Sequence, residues 1–214
     1  CAGIDIQAGF GELMTLFNDE NVDGARKSRR IYEFIKHAEN GYTRIEKCLK
    51  PVIAAIHSHC IGAGIDLITA CDIRYASKEA VFSIREVNVG LAADVGTLAR
   101  IQKVVGNDSL TRELVYTARD FGAEEALKYG IVSRVFQTPE ETLKAALALA
   151  EEIGQKSPIA VQGSKLHLNY GRDHSVDESL DYIRVWNSAQ LNTEDLVKSA
   201  LAIMTKEKAE YSDV

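Results

Sequence analysis

The sequence predicts an α/β fold in which short strands alternate with helices and a helical region then closes the chain. Three observations carry this. The apolar run VIAAI, residues 52–56, lies between Pro51 and a polar His-Ser pair, as a short buried strand would. The next stretch, CIGAGIDLITACD, opens on glycines and continues in helix formers, which marks a strand–turn–helix junction. Beyond Pro139 the segments are helical in pattern.

The elements follow in order. Residues 31–49 place Ile31, Phe34, Ile35, Tyr42, Ile45 and Cys48 at helical spacing, weakened near Gly41 and ended by Pro51. Residues 52–58 form the first strand, and IRYAS (73–77) and AVFSIREV (80–87) two more. From about 94 to 130 the pattern is helical, in DVGTLARIQKVVG, NDSLTRELVYTA and AEEALKYG, with Gly106 and Gly130 as C-terminal stops. IVSRVF (131–136) reads as a further short strand. TPEETLKAALALAEEIGQ, PIAVQGSKLHLNY and one long stretch from about 176 to 206 are the closing helices. No repeat of fixed period interrupts this order.

The 214 residues suffice for one good-sized domain, and 46% hydrophobic with 26% charged residues is ordinary globular composition. A net charge of −6 argues against broad affinity for nucleic acid or anionic membranes. No apolar run approaches the roughly 18–20 residues of a membrane-spanning helix. Cys1, Cys48, Cys60 and Cys71 form no CxxC pair, which fits a reducing interior better than a disulfide scaffold. The first residue is Cys rather than Met, so the chain is expected to be a fragment or a processed product whose targeting signal is not readable. The last residues, YSDV, are not an S-K-L peroxisomal address.

Two acids, Glu86 and Asp94, stand in the apolar stretch IREVNVGLAADVGTLAR. In an extended VFSIREV, alternation puts Phe82, Ile84 and Glu86 on one face and Arg85 on the other. Desolvation there raises a carboxyl pKa and makes Glu86 a better base near neutral pH. The alternative is a strand-end acid turned to solvent. Asp94 precedes a helical stretch and so reads first as an N-cap, though Thr97 three residues on gives no capping box. Asp66 lies one turn into the helix opened by Gly62 and Gly64. It is either a first-turn acid favoured by the helix dipole or a polar group beside free backbone donors. The GAG turn leaves amides open to an incoming oxygen, as an oxyanion hole requires. It is not a GxGxxG dinucleotide fingerprint. His57 and His59 would share a strand face, but a metal needs three or four ligands and none can be assigned, so packed histidines are preferred. The basic run Arg26, Lys27, Arg29, Arg30 reads as a solvated helix start, with contact to an anionic ligand as the alternative.

Together these pieces resemble the enoyl-CoA hydratase/isomerase (crotonase) family. CAGIDI resembles its A-G-x-D element, and KPVIAAIHSHCIGAGIDLITACDIRYAS its longest signature. EVNVGLAADVGTLARIQKVVGN and GRDHSVDESLDYI resemble the branch that isomerises 3,5-dienoyl-CoA thioesters. The resemblance implies a crotonase-type spiral of strand–helix turns with a C-terminal helical region. It implies a core over 1–140, lacking the family's first strands, and a helical oligomerisation region over 141–214. The backbone N–H groups of Ile4 and Ala63 would be the oxyanion hole. Glu86 would be the shared acid/base, Asp66 the second acid (Glu in hydratases), and Asp94 the acid particular to the dienoyl branch. The substrate would be an acyl-CoA thioester, isomerised by moving a proton from C2 to C6 through a dienolate. CoA belongs to the substrate, and no metal or other cofactor, nucleic acid or membrane is implied. The resemblance further implies a homotrimer or homohexamer in a mitochondrion or peroxisome. A 2-enoyl-CoA hydratase is the first alternative, disfavoured by Asp66 and by the presence of Asp94. A non-catalytic or RNA-binding homologue is the second, disfavoured by retention of these acids and by the acidic balance. Three places depart from the family pattern: Ala63 replaces a glycine, Ser58-His59 replaces Gly-Gly, and Asn88 replaces the branch's Asp.

Overall fold

The computed structural model describes the backbone of residues 1–214 and the side chains of all but residues 6–10 and 12. Among the described residues two three-stranded sheets organise the core. One holds β1 (Ile53–Ile56), β3 (Ile73–Ser77) and β6 (Arg134–Phe136) in the order β1-β3-β6, all parallel. The other holds β2 (His59–Ile61), β4 (Val81–Ser83) and β5 (Phe121–Gly122), with β2–β4 parallel and β4–β5 antiparallel. The chain visits the sheets in turn: β1 and β2, then α3 (Ala63–Ala70), then β3 and β4. Each turn of the path therefore leaves one strand in each sheet, and the path is a spiral.

Apolar sequence explains the shared core. Ala54 and Ile56 point inward from β1, and Ile65 and Ile68 from α3. Phe82 of β4 is fully buried and stacks on Phe121 at 5.4 Å. Ile101 of α4 (Thr97–Val104) and Leu114 of α5 (Asp108–Thr117) close the cluster with Ile131 and Val132. The sequence-based strands at 131–136 and 80–87 are too long. Ile131 and Val132 plug the core from a loop that follows α6 (Ala123–Lys128) and the left-handed Gly130. β4 ends at Ser83, whose hydroxyl donates to Ala118 O, and residues Glu86–Val89 form a 3₁₀ turn.

Two helix boundaries also differ. α1 (Ile6–Phe17) precedes α2 (Gly24–Lys47), which starts earlier than the predicted 31 because Asp23 caps it, accepting from Arg26 N. Gly41 sits inside α2 without a break, since a glycine costs only about 1 kcal/mol in a helix interior. The basic residues lie in the first turns of α2 and meet local partners: Arg26 pairs with Asp23, Arg30 with Asp19, and Lys27 donates to Phe17 O. The long helix expected over 176–206 is two helices, α9 (Val176–Gln190) and α10 (Glu194–Thr205). Ser175 and Glu178 form a capping box at the start of α9, and Thr193 caps α10.

α7 (Pro139–Gly154) lies across β1, β3 and β6. α8 (Pro158–Gly171) packs on α9 and is tied to the core by a buried ion pair. Lys165, 5% exposed, donates to Asp72 Oδ2 at 2.7 Å and to the carbonyls of Lys50 and Ile45. Asp72 Oδ2 also accepts from Val52 N at the entry to β1. Glu46 makes a second junction, binding Arg100 of α4 and Arg172 at the end of α8. Among the described residues no helix is long and apolar enough to cross a membrane.

Candidate active site

The N-terminal residues reach the GAG turn by extending the second sheet. Cys1 N donates to His59 O, and Ile61 N donates to Cys1 O. This lays Gly3 beside Gly62: a methyl placed on Gly62 would lie 3.9 Å from Gly3 Cα. Gly62 has φ +53, a left-handed conformation that glycine adopts without a Cβ penalty. Ile4, 57% exposed, follows Gly3, and buried Ala63 opens α3. Ala63 N–H belongs to the first helical turn, which has no intrahelical acceptor. Gly62 O itself accepts from Ile65 N and Asp66 N as the helix begins. The structure thus sets the segment carrying Gly3 and Ile4 beside the Gly62–Ala63 turn.

Glu86 joins them from the 3₁₀ turn. The same Gly62 methyl position lies 3.3 Å from Glu86 Oε1. Strand alternation is therefore not what aims Glu86, and that expectation is corrected. The 3₁₀ turn, ended by Gly90 at φ +84, swings the carboxyl back over the GAG turn. Glu86 Oε2 is buried with no hydrogen-bond partner. Burial first, then the charges of Asp66 and Asp94, push its pKa above the ordinary glutamate value, although its own backbone N–H pulls the other way.

Asp66 is fully buried. Its Oδ1 accepts from Thr97 N at 2.6 Å and from Thr97 Oγ1 at 2.7 Å, so it satisfies the first turn of α4 rather than its own helix. Its Oδ2 is buried without a partner. Burial, reinforced by the Asp94 charge, raises its pKa against the opposing pull of the Thr97 bonds and Arg100. Asp94 is exposed in the turn before α4. It is not the cap of α4; that position is Gly96, which makes no side-chain cap bond. The three acids thus form one electrostatic group, in which Asp94 acts on both of the others.

The sign of the Asp66 shift gives a stability prediction. A raised carboxyl pKa stabilises the fold below the ordinary value of 3.8, and this contribution is lost as pH rises through the higher folded value. Asn at 66 keeps an oxygen for Thr97 and has no charge to bury. The stability of Asp66→Asn relative to the parent is therefore expected to rise between about pH 4 and pH 7. Urea midpoints across that range measure it; a pH-independent difference would contradict the buried-charge account.

Other residues fall elsewhere. β1 ends at Ile56 and Ser58 turns the chain at φ +55, so His57 and His59 share no strand. His59 is exposed and its Nδ1 lies 3.1 Å from Ser58 Oγ. Among the described residues no group of three His, Cys, Asp or Glu is placed to hold a metal. Tyr42 of α2 escaped the sequence reading as a site residue; burial and then the charges of Asp66 and Glu86 raise its pKa. Thr97 also escaped it, and no local signal pairs Thr97 with Asp66. The apolar neighbours Val87 and Val89 are exposed. A cavity of about 1380 Å³ lies between β1, α7, α8, α10 and the last residues, and none of the candidate residues lines it.

Residues 19–213 match the family described as Enoyl-CoA hydratase/isomerase. The chain belongs to this enoyl-CoA hydratase/isomerase family. It is 54% identical over 205 residues to the mouse protein named Delta(3,5)-Delta(2,4)-dienoyl-CoA isomerase, mitochondrial, covering 96% of this chain and 62% of that one. It is 45% identical over 212 residues to the Arabidopsis thaliana protein named Delta(3,5)-Delta(2,4)-dienoyl-CoA isomerase, peroxisomal, covering 99% and 75%. The chain thus spans a little under two thirds of the length of the mouse relative. The crystal structure of an enoyl-CoA hydratase from Polaromonas sp. JS666 has the same fold, with TM-score 0.84 at 24% identity over 99% of this chain and 77% of that one. The crotonase fold read from the signature is therefore the observed one. Within the family pattern, Ser58 takes the left-handed position that glycine usually fills, a conformation unfavourable for a residue with a Cβ. Ala63 is buried and keeps its amide, and Asn88 is exposed on the 3₁₀ turn.

Proposed function

We propose that this protein isomerises 3,5-dienoyl-CoA thioesters to 2,4-dienoyl-CoA in the oxidation of unsaturated fatty acids. The observation that carries the reading is the Glu86 carboxyl set against the Gly3–Gly62 contact, in a chain 54% identical to a protein of that name. The amides of Ile4 and Ala63 hold the thioester oxygen and acidify C2 by stabilising the dienolate. Glu86, its pKa raised by burial, removes the C2 proton. Charge spreads along the conjugated chain, and Asp94 returns a proton at C6, four bonds from C2. Asp66 holds the start of α4, and so the turn that carries Asp94, in place.

No cofactor beyond the substrate's own CoA enters this scheme. The exposed apolar side chains Val176, Leu180, Val185, Val197, Ile203 and Met204 support subunit packing through the region 141–214, as a trimer or hexamer. The compartment is a mitochondrion or peroxisome, following the two relatives' names.

Incubating the purified, assembled protein with 3,5-octadienoyl-CoA tests the reading. The ultraviolet absorbance of the conjugated 2,4-product is expected to grow. Its absence, with hydration of a 2-enoyl-CoA instead, would move the function to a hydratase. In the same assay Gly62→Ala is expected to lose roughly 10–100-fold in kcat/KM, because the methyl strains a positive φ and presses on Glu86 Oε1. Parental activity in that variant would show that the Glu86–Gly62 contact is not part of the site.

A further inference from the structure

The turn that carries Asp94 has a second support besides Asp66. Residues 94–96 lead straight into α4, and Gly96 is the last of them. Arg100, one turn into α4, meets Gly96 twice. Its backbone N–H donates to Gly96 O at 3.2 Å, and its guanidinium lies against Gly96 Cα. A methyl placed on Gly96 would overlap Arg100 Nη1 and lie 3.9 Å from Asp66 Oδ1. Gly96 also has φ +146, a conformation that residues with a Cβ rarely adopt. Glycine is therefore what lets the guanidinium rest on the turn, close to the carboxyl that holds Thr97. The guanidinium is itself held from α2. Nε and Nη2 both donate to Glu46 Oε2, at 3.1 and 2.9 Å, and Nη2 also donates to Thr43 Oγ1 at 3.0 Å. Nη1 makes none of these bonds; it is the nitrogen against Gly96. Glu46 Oε1 accepts from Arg172 Nη1 at 3.0 Å, which fixes the seat from α8. The Arg100 side chain is 12% exposed, so water screens this pair less than one on the open surface.

We propose, resting on the isomerase reading above, that Arg100 is a positioning residue for the proton transfer at C6: seated on Glu46 and Thr43, it fixes the Gly96 turn and so the reach of the Asp94 carboxyl. Arg100 acts through Asp94 and does not touch the substrate. Asp66 fixes Thr97, and Arg100 fixes the residue before it. Gly96 is the most deformable point between Asp94 and α4. Without the guanidinium, residues 94–96 swing about it while Thr97 stays on Asp66. A misplacement of about 1 Å at a reacting group costs on the order of 10²-fold in rate. Lysine does not replace the arginine here. Its single ammonium meets Glu46 or covers Gly96, whereas the planar fork does both.

The test compares the assembled parent with Arg100→Lys, Asp94→Asn and the double variant, each given 3,5-octadienoyl-CoA in deuterated water. C2 deuteration is read by NMR and the 2,4-product by absorbance. Arg100→Lys is expected to slow conjugation roughly 10–100-fold, with KM and C2 exchange close to parental. Added to Asp94→Asn it should cost nothing further, because a residue that acts through Asp94 then has nothing left to position. A merely structural residue would lower both readouts together and add its loss in either background. Glu46→Gln keeps the shape of the seat and removes its charge, so the same selective loss is expected there at smaller size. Conjugation at the parental rate in Arg100→Lys, equal loss of exchange and conjugation, or a further loss in the Asp94→Asn background would each overturn the proposal. A parent that forms no 2,4-product would instead overturn the isomerase reading, and this proposal with it.

Discussion

Glu86→Gln is expected to lower kcat for dienoyl isomerisation by roughly 10²–10⁴-fold, the range for loss of a positioned acid–base group. The side chain keeps its shape and breaks no hydrogen bond at the partnerless Oε2, so the fold should persist. What disappears is a base whose pKa burial has raised toward the working pH. Under the proposed mechanism, in which Glu86 removes the C2 proton, the variant should also fail to exchange that proton with solvent deuterium. Its charge also acts on Tyr42, so the Tyr42 phenol should titrate at lower pH in the variant, a spectroscopic check that the right carboxylate was removed. Parental turnover in Glu86→Gln would remove Glu86 from the mechanism.

The largest stability effect is expected at Lys165. Lys165→Ala strands the Asp72 carboxylate beside the start of β1 and unties α8 from the Ile45 and Lys50 carbonyls. Breaking one side of a buried ion pair costs about 3–5 kcal/mol. For a chain of this size that lowers Tm by ~10 °C or more. Lys165→Met with Asp72→Asn should recover much of the loss, since Asn still offers an oxygen to Val52 N and no charge is left unpaired. Calorimetry of the single and double variants decides. A Lys165→Ala protein as stable as its parent would mean that water replaces the ammonium group.

Local chemistry was legible where it alone sets the structure. IRYAS, bounded by Asp72 and Lys78, became β3 residue for residue. The glycine-opened junction became β2 and α3, since glycines allow the turn and helix formers follow it. The break at 191–193 was written in the sequence as Thr193 followed by two acids, a cap signal overridden by the apolar periodicity on either side. The aim of Glu86 was not legible. It depends on a strand that stops at Ser83 because that hydroxyl bonds Ala118, 35 residues away. The role of Asp66 depends likewise on Thr97, brought near by packing of α3 on α4. Alternation predicted a desolvated Glu86 by the wrong route. The site residues came mainly from the family signature; the contacts the structure itself shows there are among Gly3, Gly62 and Glu86.

The central claim is that two acids serve opposite ends of one dienolate, Glu86 at C2 and Asp94 at C6. The most direct measurement follows Asp94→Asn with a 3,5-dienoyl-CoA in deuterated water, reading C2 deuteration by NMR and the 2,4-product by absorbance. The account predicts C2 exchange close to the parental rate, with conjugation slowed by roughly 10²–10⁴-fold. Conjugation at the parental rate, or loss of C2 exchange together with conjugation, would contradict it.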